Sequence, residues 1–274
     1  MTTVWARGRL RDPGEPVVTA LDPGVTTGLG VFETCGVLAG RAFALTRHLD
    51  RLAASARALG LPAVDPDEVR TAAAAVLAAE GPGAGRVRIT VTPGAPDEDR
   101  PTLLVTAGPA PVRGPAHVVR VDWVRNERSP LAGHKATSYA ADVLALAAAT
   151  RAGGNEAVLA NTRGALCEGT GSNVLVETGG ELLTPDLASG CLPGVTRALA
   201  LEWGAEAGLP VRDADLPWAV LDEVAAGRAH LGLTGSLRGV AAVHALDGAP
   251  VVPGPLTAEL ARVFAGRAGA DPDP

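Results

Sequence analysis

Residues 166–197 of the 274-residue chain are LCEGTGSNVLVETGGELLTPDLASGCLPGVTR. Aliphatic and β-branched residues form short runs here, and glycines separate them, a pattern typical of consecutive short strands. Pro193 and Gly194 then open a run that predicts a helix over residues 195–207. The stretch therefore predicts a meander of short strands over residues 157–184, followed by a helix.

Three features near this stretch are candidates for binding chemistry. Glu168 is a carboxylate in a glycine-rich strand turn, where the backbone can approach a ligand closely. The backbone amides of Val195 and Thr196 lie at a predicted helix N-terminus, and such termini bind phosphate. Residues 234–236, Thr-Gly-Ser, offer hydroxyls and amides to the same anion. A solvated carboxylate, an ordinary helix cap and a plain turn are the alternatives.

Lys135 is the single lysine among 24 Lys and Arg residues. It lies at the predicted start of a helix, just after a strand. A guanidinium cannot act as a neutral amine nucleophile, and a Schiff base requires lysine. A chance survivor of codon bias is the alternative. An amine, a carboxylate and a phosphate cradle are together the three groups that pyridoxal phosphate needs.

Composition excludes several classes of protein. With 47% hydrophobic residues and a net charge of −6, the chain is typical of a soluble globular protein and not of a nucleic-acid binder. Its apolar runs are shorter than the roughly 20 residues that span a bilayer, and residues 1–10 lack the apolar core of a secretory signal. We expect a cytoplasmic protein. Cys35, Cys167 and Cys191 lack disulfide or zinc spacing, so we expect buried thiols and no metal.

The remaining pattern predicts two domains. Three prolines in residues 108–115 mark a linker, so we expect a small domain over residues 1–110, a linker over 111–117 and a larger domain over 118–274. The predicted strands of the small domain are 17–21, 30–38, 86–92 and 102–106, and its helices are 46–59 and 66–79. The further elements predicted for the larger domain are strands 118–124, 229–234 and 240–246 and helices 137–152, 220–226 and 256–265.

Seven motifs, taken in order along most of the chain, resemble the class IV aminotransferase family. These are the fold-type IV pyridoxal-phosphate enzymes, which include branched-chain and D-amino-acid aminotransferases and 4-amino-4-deoxychorismate lyases. The motifs are GLGVFET (28–34), HLDRL (48–52), RNERSPLAGHK (125–135), NEA (155–157), EGTGSNV (168–174), LTP (183–185) and GCLPGVTR (190–197). The resemblance implies an α+β fold with a small N-terminal α/β domain and a larger domain with a pseudo-barrel sheet. It also implies a homodimer in which loops of the small domain complete the partner's pocket.

Carried over residue by residue, the resemblance assigns roles in a pyridoxal-phosphate site. It implies Lys135 as the Schiff-base lysine and general base, and Glu168 as the partner of the ring nitrogen. Tyr139, the only tyrosine, lies one residue nearer the lysine than the tyrosine that branched-chain enzymes place by the ring hydroxyl; a core tyrosine is the alternative. The residues expected to hold the phosphate are Arg51, Val195, Thr196, Gly235 and Ser236.

Substrate assignment rests on finer likenesses. The SPLAG run before the lysine and TGSLRGV (234–240) look most like aminodeoxychorismate lyases. Leu29 replaces an aspartate of the family motif, as in branched-chain enzymes, and the lyases' Arg-Gly-x-x-x-Arg-Gly loop is reduced to residues 92–100. We expect a lyase of a folate-type pathway that forms p-aminobenzoate and pyruvate. Arg100 is then a carboxylate contact, or alternatively a solvated loop residue, and Thr34 a proton donor.

Two other functions remain as alternatives. An amino-acid transaminase, branched-chain or D-amino-acid, could use the same groups, because only the substrate pocket decides which carbon is reprotonated. A non-catalytic binder on the same scaffold is disfavoured by the intact Lys135 and Glu168.

Overall fold

The computed structural model describes residues 2–96, 100–112 and 114–274, and its contacts divide the chain into two compact units. Unit 1 comprises Met1–Pro111, His134–Ser138 and Ala268–Pro274, and unit 2 comprises Val112–Gly133 and Tyr139–Arg267. The domain boundaries drawn from sequence stay a prediction. Asp97–Asp99 of the shortened loop and Arg113 of the predicted linker lie outside the described residues. No helix in the described ranges is long and apolar enough to cross a bilayer.

Unit 1 is built on an antiparallel six-stranded sheet in the order β2-β1-β6-β5-β3-β4. Its strands are β1 (Thr3–Ala6), β2 (Arg9–Arg11), β3 (Val31–Leu38), β4 (Arg41–Ala42), β5 (Arg86–Thr92) and β6 (Thr102–Gly108). Its helices are α1 (Pro23–Thr26), α2 (Leu45–Ala58) and α3 (Pro66–Glu80). Apolar side chains of α2 and α3, such as Leu52 and Val76, pack with Ile89 and Val105 of the sheet, so the core lies on one face of the sheet.

The strands and helices predicted within residues 1–110 are confirmed with one exception. α3 begins as predicted, because Asp65 caps it by accepting a hydrogen bond from Asp67 N at 2.9 Å, and Pro66 takes the first helical position. The predicted strand over residues 17–21 is wrong, since β3 pairs with β4 and β5 instead. Pro16 and Pro23 flank that segment, and Asp22 ends it by capping α1.

Unit 2 is built on a mixed nine-stranded sheet in the order β12-β11-β10-β13-β14-β7-β8-β9, with β15 paired to β14. Its strands are β7 (Ala116–Arg125), β8 (Glu156–Asn161), β9 (Leu166–Gly169), β10 (Asn173–Thr178), β11 (Glu181–Pro185), β12 (Val211–Ala214), β13 (His230–Gly235), β14 (Gly239–Leu246) and β15 (Ala249–Pro250). The helices are α4 (Ala140–Arg151), α5 (Val195–Glu206), α6 (Val220–Ala225) and α7 (Pro255–Ala270), the last of which ends in unit 1. The predicted meander, the helix over 195–207 and the α+β class are confirmed.

The helix predicted from residue 137 begins only at Ala140, so Lys135 does not lie at a helix start. The lysine is part of an extended segment whose neighbour Ala136 pairs with Val31 at the beginning of β3. Thr137 N donates to Gly30 O at 2.8 Å. These hydrogen bonds to a strand edge satisfy the backbone in extended form and override the local helical pattern.

Candidate active site

Lys135 is fixed within unit 1 at its backbone and at the end of its side chain. Its carbonyl accepts a hydrogen bond from Phe32 N at 2.9 Å, and its own N–H donates to Ser55 Oγ on α2 at 3.3 Å. Its Nζ lies 4.5 Å from the centroid of the Phe32 ring, a cation–π arrangement. The amine therefore has a defined position against an aromatic ring.

A hydroxyl and a guanidinium share the sheet face on which Phe32 lies. Thr34 is two residues beyond Phe32 on β3, so both side chains point to the same face. Arg88 on β5 pairs directly with Thr34, and its guanidinium carbon lies 3.9 Å from the Phe32 centroid. Sequence analysis missed Arg88. The alternation in residues 86–92, RVRITVT, was the available signal, because it buries Val87 and Ile89 and turns Arg88 to the opposite face.

Beneath the opposite face of β3 lies a buried cluster of Glu33, His48 and Arg51, which we call the glutamate–histidine–arginine cluster. Glu33 is fully buried; it accepts hydrogen bonds from Arg51 Nε at 2.8 Å and Nη2 at 2.7 Å, and His48 Nδ1 lies 2.6 Å from it. Burial alone would raise the pKa of Glu33, but the charge of Arg51 and the hydrogen bonds of Arg51 and His48 lower it to about 2. Arg51, the predicted phosphate ligand, is thus held by an ionised carboxylate.

Unit 2 contains a second buried cluster, of Arg125, Asp142 and Glu168, which we call the arginine–dicarboxylate cluster. Glu168 on β9 is 8% exposed; its Oε1 accepts from Arg125 Nε at 3.1 Å and its Oε2 from Leu192 N at 2.9 Å. Arg125 also donates to both oxygens of Asp142 on α4. Burial opposes the charge of Arg125, but Glu168 and Asp142 outweigh it and raise the Arg125 pKa. Glu168 is therefore no solvated turn residue.

Tyr139 lies immediately before α4, and its hydroxyl donates a hydrogen bond to Thr170 O in the turn that follows Glu168. Burial raises the pKa of Tyr139, and the nearby charges of Asp142 and Glu168 raise it further. Its phenol therefore stays protonated and acts as a donor near neutral pH.

The N-terminus of α5 has the features of an anion site. Its N-cap residue, Gly194, supplies no side-chain hydrogen bond to the helix, which begins with the buried Val195 and Thr196. A Cβ at Gly194 would lie 2.0 Å from Asn173 Oδ1, so the close approach of the two segments requires glycine. The helix end therefore keeps its first amides available to a ligand.

The end of β13 lies beside this helix terminus. Asn173 donates from Nδ2 to Leu192 O at 2.9 Å and pairs across the sheet with Thr234. Thr234 Oγ1 is buried and has no hydrogen-bond partner in the part of the chain that the structure describes. Gly235 ends β13 and Ser236 follows it. An unsatisfied buried hydroxyl and an uncapped helix N-terminus fit the phosphate of pyridoxal phosphate.

The structure distributes the predicted site residues over the two units. Thr34, Arg51, Arg100 and Lys135 lie in unit 1, where Arg100 is exposed. Tyr139, Glu168, Val195, Thr196, Gly235 and Ser236 lie in unit 2. The cysteines are buried thiols as predicted; burial raises the pKa of Cys191 to about 11 and those of Cys35 and Cys167 above their usual range.

Comparisons with known proteins agree with these features. The sequence model of the family described as amino-transferase class IV matches residues 30–246. The chain is 30% identical over 267 residues to the bifunctional aminodeoxychorismate lyase / D-amino acid transaminase of Mycobacterium tuberculosis, covering 88% of this chain and 90% of that protein.

Two solved structures have the same fold. A fold IV-transaminase from Curtobacterium pusillum has a TM-score of 0.86 and 32% identity, covering 98% of this chain and 99% of that one. The PLP-bound form of a hypothetical aminotransferase from Mycobacterium tuberculosis has a TM-score of 0.87 and 28% identity, covering 97% and 98%. The chain therefore belongs to the class IV aminotransferase family, whose cofactor is pyridoxal phosphate.

Proposed function

We propose that the protein is a pyridoxal-phosphate-dependent lyase that splits 4-amino-4-deoxychorismate into p-aminobenzoate and pyruvate. The observation that carries the proposal is a hydroxyl on the sheet face that holds the amine: Thr34 shares that face with Phe32, against which Lys135 Nζ lies. Removal of the ring proton requires a base, and release of enolpyruvate requires an acid as well. An amine and a hydroxyl at one face supply both.

The proton balance of the reaction gives Lys135 and Thr34 their proposed roles. Bound pyridoxal phosphate supplies the electron sink for the pair of electrons left after proton removal. The amine of Lys135 takes the proton from the substrate ring. The carbon–oxygen bond to enolpyruvate then breaks as the ring becomes aromatic, and Lys135, directly or through the Thr34 hydroxyl, returns that proton to the methylene carbon, which gives pyruvate.

Other residues of the chain would hold the cofactor. Glu168 would face the ring nitrogen, which is protonated when it pairs with a carboxylate, and Tyr139 would donate to the ring hydroxyl. The phosphate ligands would be Arg51, Val195, Thr196, Gly235 and Ser236. The uncapped N-terminus of α5 and the buried hydroxyl of Thr234 support this assignment.

The substrate carries two carboxylates, and arginines are suited to bind them. We propose Arg88 as one ligand, because it is stacked on Phe32 directly across from Thr34. Arg100, exposed at the end of the shortened loop, remains the second candidate.

An amino-acid transaminase, branched-chain or D-amino-acid, is the second candidate function. In that reaction the amine of Lys135 would take a proton from the amino acid and return it to a different carbon. No acid other than Lys135 is then needed. The relative from Mycobacterium tuberculosis supports keeping this candidate, because its name combines both activities.

We also propose a homodimer. Trp123 and Val124 on β7 are 50% and 53% exposed, and Val143 and Leu144 on α4, which packs against β7, are 59% and 61% exposed. Two elements that pack against each other thus both expose large apolar side chains, which favours an association surface. Light scattering should give twice the chain mass; a monomer at working concentration would reject this proposal.

One assay separates the two activities. The purified, cofactor-loaded protein receives 4-amino-4-deoxychorismate while p-aminobenzoate fluorescence and pyruvate are followed, and L- and D-amino acids with 2-oxoglutarate are tested in parallel. We expect both products in equal amounts, and a lower rate in Thr34→Val. An untouched substrate together with amino-group transfer from an amino acid would reject the lyase in favour of the transaminase.

A further inference from the structure

Glu156, the first residue of β8, is a buried carboxyl group that none of the roles above uses. It is 2% exposed. Its Oε1 accepts hydrogen bonds from Thr170 Oγ1 at 2.5 Å and Gly171 N at 2.8 Å, and its Oε2 accepts one from Ser172 Oγ at 2.8 Å. Burial of a carboxyl group is costly without such partners, and here a single turn supplies three donors.

The turn over residues 170–172 begins two residues after Glu168 and is fixed on several sides. Thr170 N donates to Ala157 O at 3.0 Å, and Thr170 O accepts from the Tyr139 hydroxyl. Gly169 N donates to Ser172 O at 2.8 Å. Glu156 therefore supplies the acceptors for three further donors of the turn.

A second turn, between β13 and β14, adjoins the same carboxyl group. Arg238 Nη2 lies 4.0 Å from Glu156 Oε2, and the Arg238 side chain is 6% exposed. Arg238 N donates to Gly235 O at 3.0 Å, which closes the turn that holds Ser236. A Cβ at Gly235 would lie 3.3 Å from Gly171 O, so the two turns are in close contact.

We propose that Glu156 is a positioning residue for the cofactor's phosphate, because it fixes the turn of Gly235 and Ser236, through Arg238, against the turn that follows Glu168. This inference rests on the proposed assignment of Gly235 and Ser236 to the phosphate. The two carboxylate oxygens have different contacts: Oε1 accepts from Thr170 and Gly171, whereas Oε2 accepts from Ser172 and also faces Arg238.

The different contacts of the two carboxylate oxygens determine which substitution tests the proposal. Glu156→Gln keeps one oxygen for Thr170 and Gly171, and its amide can donate to the Ser172 hydroxyl, which also accepts hydrogen bonds. The same amide N–H groups, however, face the guanidinium of Arg238. The change should therefore displace the Ser236 turn and leave the ring side of the site in place. Glu177→Gln is the matched control, because Glu177 is also a buried carboxyl group of unit 2 that receives three hydrogen bonds, from Leu256 N, Thr257 N and Thr257 Oγ1.

The test compares two ligands on cofactor-free protein. Wild type, Glu156→Gln and Glu177→Gln are titrated with pyridoxal phosphate and with pyridoxal, which lacks the phosphate, and quenching of the four tryptophans is followed. In Glu156→Gln we expect the Kd for pyridoxal phosphate to rise about tenfold and that for pyridoxal to stay within about twofold. Glu177→Gln should leave the Kd for both ligands unchanged.

Several outcomes would overturn the inference. Equal weakening of both ligands in Glu156→Gln, or no weakening, removes the positioning role and leaves the proposed function intact. A wild-type protein that binds pyridoxal phosphate no more tightly than pyridoxal removes the phosphate assignment and this inference together. If Glu156→Gln does not fold, Arg238→Met replaces it; the same phosphate-selective loss supports the inference, and an unchanged affinity rejects it.

Discussion

The two buried ionic clusters have opposite compositions. In unit 1 one carboxylate, Glu33, is shared by the two basic residues Arg51 and His48. In unit 2 one guanidinium, Arg125, is shared by the two carboxylates Asp142 and Glu168. The first cluster has basic groups in excess, whereas the second has a surplus negative charge.

The opposite compositions suit the two clusters to different ligands. The guanidinium of Arg51 is suited to an anion such as a phosphate, and a carboxylate excess around Glu168 favours a protonated ring nitrogen. Each cluster also fixes the orientation of its predicted ligand residue through buried hydrogen bonds. Lys135 belongs to neither cluster, so the comparison separates the proposed binding groups from the proposed general base.

Replacing Lys135 should have the largest effect, because it removes the reacting amine and leaves both clusters intact. Lys135→Ala should lower turnover by about 10⁴-fold, because the proposed general base is lost. Urea unfolding of the cofactor-free variant should stay within about 1 kcal/mol of wild type, since the side chain is only half-buried. Steady-state rates and the unfolding curve measure the two effects. Near-normal rates would refute the assigned role of the lysine.

The next largest effect should come from disrupting the glutamate–histidine–arginine cluster of unit 1. Arg51→Met leaves Glu33 fully buried beside His48 and without its guanidinium partner, so the free energy of unfolding should fall by about 3–5 kcal/mol. Urea unfolding of the cofactor-free protein measures it. Arg57→Met, an exposed position on the same helix, is the control and should change stability little. Equal losses in both variants would show that Arg51 owes its effect to the helix and not to Glu33.

A smaller effect follows from the lowered pKa of Glu33, which is about 2 in the fold against 4.5 for an ordinary glutamate. A lowered pKa contributes stability that is present above pH 4.5 and lost as the pH falls towards 2. The shift corresponds to about 3 kcal/mol. Urea unfolding between pH 4.5 and pH 2 should therefore be steeper in pH for wild type than for Glu33→Gln. Parallel curves would mean that the cluster does not hold this carboxylate ionised.

The extent to which sequence predicts these regions depends on the distance along the chain between partners. The start of α3 was predicted because Asp65, Pro66 and the capped amide of Asp67 are neighbours. The glutamate–histidine–arginine cluster was not, because Glu33 meets α2 only after β3 is placed in its sheet. Lys135 was assigned to a helix for the same reason: the strand edge that extends it lies about a hundred residues earlier.

The site residues taken from the family resemblance need a different explanation. Ordered motifs identified Lys135, Glu168 and Arg51 without any knowledge of their contacts. Arg125 and Glu156 lie inside two of the same motifs, RNERSPLAGHK and NEA, but received no role, because a motif does not show which neighbours a side chain meets. The hydrogen bonds of the folded chain supply that information.

The smallest predicted effect comes from another long-range contact and contrasts two helix ends. The N-terminus of α5 has no side-chain cap, whereas α2, which carries Arg51, is capped from 227 residues away by Asp273, whose carboxylate accepts from Thr46 N at 2.7 Å and Thr46 Oγ1 at 2.6 Å. Asp273→Ala should therefore cost about 1 kcal/mol of unfolding free energy in urea. Asp215→Ala, at an exposed position of unit 2, should cost less. Equal costs would mean that α2 does not need this cap, and the contrast with α5 would then say nothing about ligand binding.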